Sequence, residues 1–221
     1  MPDDQTLQAL VMEELEWEPS LEAAHIGVTA EAGVVTLSGH VASYAAKAAA
    51  ERAAGRVRGV KAIAEEIEVR LPEDHKRSDT EIAERALRIL SWDVEVPADR
   101  IQVKVEHGMA TLSGDVGYYF QKAAAEADIR RLGGVRGVVN LVRVAPAAQP
   151  AGDPAAVRQK IESALRRNAE VEAGHILIGV EGGRVTLRGS VKTWWERQVA
   201  ETAARSAPGV TEVNDEIDVR P

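Results

Sequence analysis

The eight residues Val34–Val41, VVTLSGHV, return as MATLSGDV at Met109–Val116 and as RVTLRGSV at Arg184–Val191. The glycine of each copy falls at Gly39, Gly114 and Gly189, so both steps are 75 residues, with no insertion in either. Such a regular period marks tandem duplication of one supersecondary unit. It divides the 221 residues into three expected units, 1–72, 77–146 and 152–221, with linkers at 72–77 and 145–152. A unit of about 70 residues buries only about 60% of the surface its unfolded chain exposes, so each core is expected to be modest.

Within each period the hydrophobic spacing changes in the same order. Leu7, Val11 and Leu15 recur at intervals of four, as do Ile82, Ala86 and Leu90, and then Val157, Ile161 and Leu165. That spacing predicts an amphipathic helix with one apolar stripe. Ser78 or Asp79 and Asp153 stand at helix-cap positions, and Pro154 suits a first helical turn. Alternation follows at Ile26, Val28 and Ala30 and at the equivalent residues, predicting a strand. Gly33, Gly108 and Gly183 then close a hairpin into the repeated motif. Gly39, Gly114 and Gly189 lie on the inward parity of the returning strand. A glycine there predicts a bulge, or a helix too close for any Cβ. A second helix begins at Ser43 and at Thr193, the latter with Glu196 in capping-box spacing, and carries a small-residue face of Ala50/Ala125/Ala200 and Ala54/Ile129/Ala204. It stops near Gly59, Gly134 and Gly209, and a last strand follows. The fold class is therefore α+β: three tandem αββαβ units, each a three-stranded mixed sheet with two helices on one face.

Aromatic residues make up only 4% of the chain, which leaves alanine, valine, leucine and isoleucine to fill three cores. The absence of cysteine excludes disulfides, thiolate metal sites and cysteine nucleophiles. Net charge is −8, and the first 72 residues carry six basic against twelve acidic side chains. That balance argues against nucleic acid as a partner, because such binding rests on neutralising phosphates. The N-terminus, MPDDQTLQALVMEELEW, has neither the basic nor the apolar region of a signal peptide, and no run approaches the ~20 apolar residues of a membrane span. If Met1 is the true start the expected compartment is the cytoplasm; a removed leader would make it the periplasm.

Side chains able to carry function are few. Tyr44, Tyr119 and Trp194 are aligned at the start of the second helix, with Tyr118, Phe120 and Trp195 beside them. They either meet a membrane interface or partner, or cap the edge of a small core. Arg56, Arg58 and Lys61, then Arg130, Arg131 and Arg136, then Arg205, gather where that helix ends. These cations either complement the helix dipole or form a phosphate-facing rim. Lys47–Glu51, Lys122–Glu126 and Arg197–Glu201 have the spacing of solvated surface pairs. The acidic run Glu13, Glu14, Glu16, Glu18 and Glu22 lacks calcium-loop spacing, and the histidines, including the equivalent His25 and His175, lack metal-ligand spacing. Ser38 and Ser113 have no recurring histidine partner, and Gly133-Gly134 and Gly182-Gly183 lack a following phosphate-loop lysine. No catalytic, metal or cofactor site is expected.

The order helix, strand, GVVTLSGxV, helix and GVxxVxNx[LI]xV resembles the BON domain (bacterial OsmY and nodulation). The closing motif stands at Gly59–Ile63, at Gly134–Val144 through Asn140, and at Gly209–Val219; Glu65 and Asp215 take the place of Asn140, and Arg188 replaces the serine of TLSG. The resemblance implies the αββαβ fold and a non-enzymatic module, usually exported to the periplasm and associated with envelope integrity and osmotic stress. It also implies binding of phospholipid headgroups, and from the aromatic and basic clusters above Arg130, Arg131, Arg136, Tyr119, Trp194 and Trp195 are the candidate lipid- or partner-binding surface. Two other readings stay open: a cytoplasmic protein-interaction or chaperone-like scaffold, and cation or small-ligand sensing by the acidic first unit. The sequence does not fix the oligomeric state.

Overall fold

A computed structural model describes residues 3–73, 77–145, 153–167 and 175–220. The expected linkers, 72–77 and 145–152, fall for the most part outside these. The first repeat consists of α1 (Asp4–Trp17), β1 (Ile26–Glu31), β2 (Val34–Val41), α2 (Tyr44–Arg56) and β3 (Ala62–Val69). The second has α3 (Asp79–Trp92), β4 (Ile101–Glu106), β5 (Met109–Val116), α4 (Tyr119–Arg130), β6 (Gly137–Asn140) and β7 (Arg143–Val144). The third has α5 (Pro154–Arg167), β8 (Ile176–Glu181), β9 (Arg184–Val191), α6 (Trp194–Arg205) and β10 (Glu212–Val219).

Helix starts are fixed by side chains that satisfy orphan amides. Asp3 accepts from the Thr6 N–H, Ser78 and Glu81 form a reciprocal capping box, and the Thr193 hydroxyl accepts from the Glu196 N–H. Asp153 accepts from the Ala155 N–H at the start of α5. Each hairpin pairs its first two strands antiparallel, and the repeated motif is the central strand of its sheet. The last strand runs parallel to it in the second and third repeats. In the first, the Lys61 N–H donates to the Gly33 carbonyl and the Arg70 N–H to the Val41 carbonyl, both at 2.8 Å, so β3 follows the same sense. The αββαβ expectation is met.

Both helices lie on one face, where the stripe residues Ile82, Ala86 and Leu90 and the small face Ala125 and Ile129 share one core with Ile101, Leu112 and Val142. The third repeat repeats this with Val157, Ile161 and Leu165 and with Ala200 and Ala204 against its sheet. The opposite sheet face carries cross-strand ion pairs between registered partners: Arg184–Glu212, Arg188–Glu216 and Asp115–Arg143. Exposed pairs of this kind contribute at most about 1 kcal/mol each.

Gly39, Gly114 and Gly189 have φ of 106°, 129° and 132°. A Cβ on them would collide with the backbone carbonyl oxygens of His25, Arg100 and His175, the residues just before each first strand. The crowding group is thus a neighbouring strand's backbone rather than the helix the sequence reading allowed for. Two constraints, a left-handed φ and a missing volume, select glycine together.

The last strand departs from expectation only in the second repeat, where it breaks between Asn140 and Arg143. The Asn140 side chain lies at the break. Its amide donates to the Lys122 carbonyl and to Glu126, while its oxygen accepts from the Val142 N–H. The side chain therefore competes with the ladder for local backbone groups.

By backbone proximity the described chain falls into two compact units: Met1–Gly39 with Ala49–Glu66 and Ala148–Pro221, and His40–Ala48 with Ile67–Ala147. The first repeat is therefore shared between them. We expect Gly114→Ala to lower stability by about 3 kcal/mol or more, while Gly133→Ala, whose Cβ would meet nothing within 4 Å, should change it by less than about 0.5 kcal/mol. Urea unfolding of the two variants measures both.

Candidate functional site

The basic residues that close each second helix do not share one environment. In the first repeat Arg56 is committed: its Nε reaches Glu14 at 2.8 Å and its Nη2 reaches Glu18 at 3.4 Å, tying the end of α2 to α1. The Ser20 hydroxyl, and then Arg56, hold the Glu18 carboxyl below its ordinary range. Part of the acidic run read from the sequence is thereby neutralised within its own repeat. In the second repeat the positions equivalent to Glu14 and Glu18 are Ile89 and Asp93, and the position of Arg56 is Arg131. Arg131 and Arg136 are exposed, and neither side chain makes a hydrogen bond or ion pair among the described residues.

Arg130 is half-buried and occupied. It pairs with Glu126 one turn earlier, and its guanidinium lies 5.9 Å from the centre of the Tyr44 ring. Its Nε is buried with no acceptor among the described residues. Arg205 makes the equivalent pair with Glu201. The favourable Glu-before-Arg order therefore replaces the expected Arg197–Glu201 pair, because Arg197 turns to Asp215 at 2.7 Å and covers the Trp194 ring at 5.1 Å.

The candidate residues of the second repeat do not converge. Tyr119 opens α4 and Arg131 follows its end, about 18 Å apart at the rise of a 12-residue helix. Beside Tyr119, the exposed rings of Tyr118 and Phe120 stack at 5.6 Å. Trp194 and Trp195 are half-buried at the start of α6.

Sequence reasoning passed over Trp17 and Trp92. They occupy equivalent positions at the ends of α1 and α3 and are 83% and 85% exposed. Their signal was legible: each lies two residues beyond the last member of the apolar stripe, on the solvent side. Trp92 is followed by Asp93, whose carboxyl acts electrostatically on that of Asp128 on α4, three residues before Arg131. An exposed indole and an exposed guanidinium thus occupy the same end of the second repeat. Leu87 and Val94, also exposed, extend the apolar part of that end. Among the described residues no group of three or more His, Cys, Asp or Glu is placed to hold a metal, and no helix is long and apolar enough to cross a membrane.

This fold, written three times, is that of a single known domain family. The BON domain profile matches residues 3–70, 78–146 and 153–221, and the chain belongs to the BON domain family. It is similar to the osmotically-inducible protein Y of Escherichia coli strain K12, with 29% identity over 143 residues, covering 62% of this chain and 71% of that protein. Two solved structures of the type III secretion protein CdsD of Chlamydia trachomatis, one of them its C-terminal domain, are 16% identical to it. They cover 96% and 100% of this chain and 91% and 100% of their own, at TM-scores of 0.28 and 0.27.

Burial and the neighbouring Asp93 push the Asp128 carboxyl above its ordinary value, while Arg131 opposes them. A folded-state pKa raised in this way gives stability that is full below the unfolded value of about 3.9 and is lost as pH rises through the folded one. Asp128→Asn removes the titrating carboxyl and keeps the side chain's size. It should unfold at higher urea concentration than the parent at pH 7, and the difference should vanish as pH falls to about 4 and below. Urea midpoints across that range measure the effect.

Proposed function

We propose that the chain is a non-enzymatic, stress-related binding protein of the bacterial envelope whose second repeat engages phospholipid headgroups. The reading rests on one observation above the rest: Trp92 and, on the same end of that repeat, Arg131 are both exposed. An indole suits the boundary between acyl chains and headgroups, and a nearby guanidinium suits lipid phosphate. Arg136, exposed at the start of the last strand, adds a second charge. Arg130 and Trp194, expected in the same surface, are occupied within their own units and contribute less. The family and the osmotically-inducible relative support the stress and envelope context, and with it the periplasm.

A scaffold role has one observation in its favour. Met109, Val139 and Leu141 are exposed on the helix-free side of the second sheet, where a protein partner would find an apolar strip. It stands second because that strip is small.

Co-sedimentation with phosphatidylglycerol vesicles should show binding that weakens from low to physiological salt, with a blue shift in tryptophan emission. Trp92→Ala/Arg131→Ala should lower the affinity roughly tenfold, at about 1 kcal/mol for the lost charge and a further contribution from the indole. Absence of binding at both salt concentrations would reject the lipid reading, and suppression of client aggregation by the same preparation would then favour the scaffold.

A further inference from the structure

Tyr44 and Trp194, aromatic residues that each open a second helix, have contacts outside their own repeat. Tyr44, the first residue of α2, packs against the core of the second repeat, and the Arg130 guanidinium at the end of α4 faces its ring. Trp194, the first residue of α6, lies against Gly55 near the end of α2. A Cβ built on Gly55 would sit 3.2 Å from the indole Cδ1 and 3.9 Å from the Trp194 Cβ. Each contact lies inside one of the two compact units, Tyr44 with Arg130 in one and Gly55 with Trp194 in the other.

The two contacts are equivalent. Tyr44 and Trp194 are the same position of the repeat, two periods apart, and Gly55 and Arg130 are the same position, one period apart. In both, the start of one second helix meets the last turn of a second helix from another repeat. This is a heterologous, head-to-tail relation, and the same pair of surfaces serves twice.

We propose that the aromatic residue opening the second helix is a docking residue for another BON repeat of the same chain, and that its seat is the residue at position 55 or 130. The chemistry of the seat matches the ring. The large indole meets a glycine, whose missing side chain leaves room for it. The smaller phenol meets an arginine, whose guanidinium stacks at cation–π distance. The inference is separate from lipid binding, which rests on Trp92 and Arg131.

The chain contains no cysteine, so a cross-link can be written in cleanly. The built Cβ separation of 3.9 Å between positions 55 and 194 lies within the roughly 3.5–4.5 Å of a disulfide. The full chain carrying Gly55→Cys/Trp194→Cys, oxidised at low concentration, should lose two hydrogens in mass and migrate faster on a non-reducing gel, with no dimer. Thiols that stay free, or that join only different chains, in a variant with the parent's circular dichroism would overturn the proposal. Tyr44→Ala, followed by hydrogen exchange, tests the other joint without a cross-link. Amides of α4 near Arg130 should lose protection roughly tenfold, although the substitution lies in the first repeat. Loss confined to α2 and its own sheet would overturn the proposal even if the cysteine variant failed to fold.

Discussion

Contact between the small-residue face of each second helix and its sheet sets the dimensions of the repeat. Ala50 and Ala54, Ala125 and Ile129, and Ala200 and Ala204 are all fully buried, and five of the six present no atom beyond Cβ. A helix with such a face approaches the sheet closely, and the remaining volume is filled by leucine, valine and isoleucine from the first helix and the strands. No aromatic ring is among the buried residues described. The rings have been released from interior packing, and they stand at helix ends, where they meet solvent or another repeat.

A second constraint couples the last strand to the second helix, and each copy meets it with different chemistry. In the first repeat the Lys47 ammonium reaches the Ile67 carbonyl. In the second, the Asn140 amide reaches the Lys122 carbonyl and Glu126, beside the break in its strand. In the third, Arg197 takes the Asp215 carboxylate, and Asp215 also accepts from the Ile217 N–H. Asn140 and Asp215 had drawn attention as variation in the closing motif. Their spread reflects several ways to bridge one gap.

Architecture was legible because it rests on period. The 75-residue step, the helical stripes and the alternating strands depend on the order of apolar residues, and that order survives in the chain. Gly39 and its equivalents were recognised as crowded, but the crowding partner was missed. A carbonyl from residue 25 approaching residue 39 leaves no trace in side-chain pattern. The functional surface was less legible for a related reason. Arg56, Arg130 and Arg131 look alike in sequence, yet one is bound to α1, one lies under a tyrosine and one is free of such contacts. Their difference comes from residues far away in the chain, at positions 14, 18 and 44. Trp17 and Trp92 were overlooked because the apolar stripe explained their helices without them.

The pairing of indole with glycine and phenol with arginine gives the copies individual identities. Reordering the three repeats by genetic permutation would bring Trp194 onto Arg130, or Tyr119 onto the bare Gly55, and either combination mismatches in volume. Copies that began interchangeable are now fitted to their places in the array, and their succession along the gene has become part of the fold.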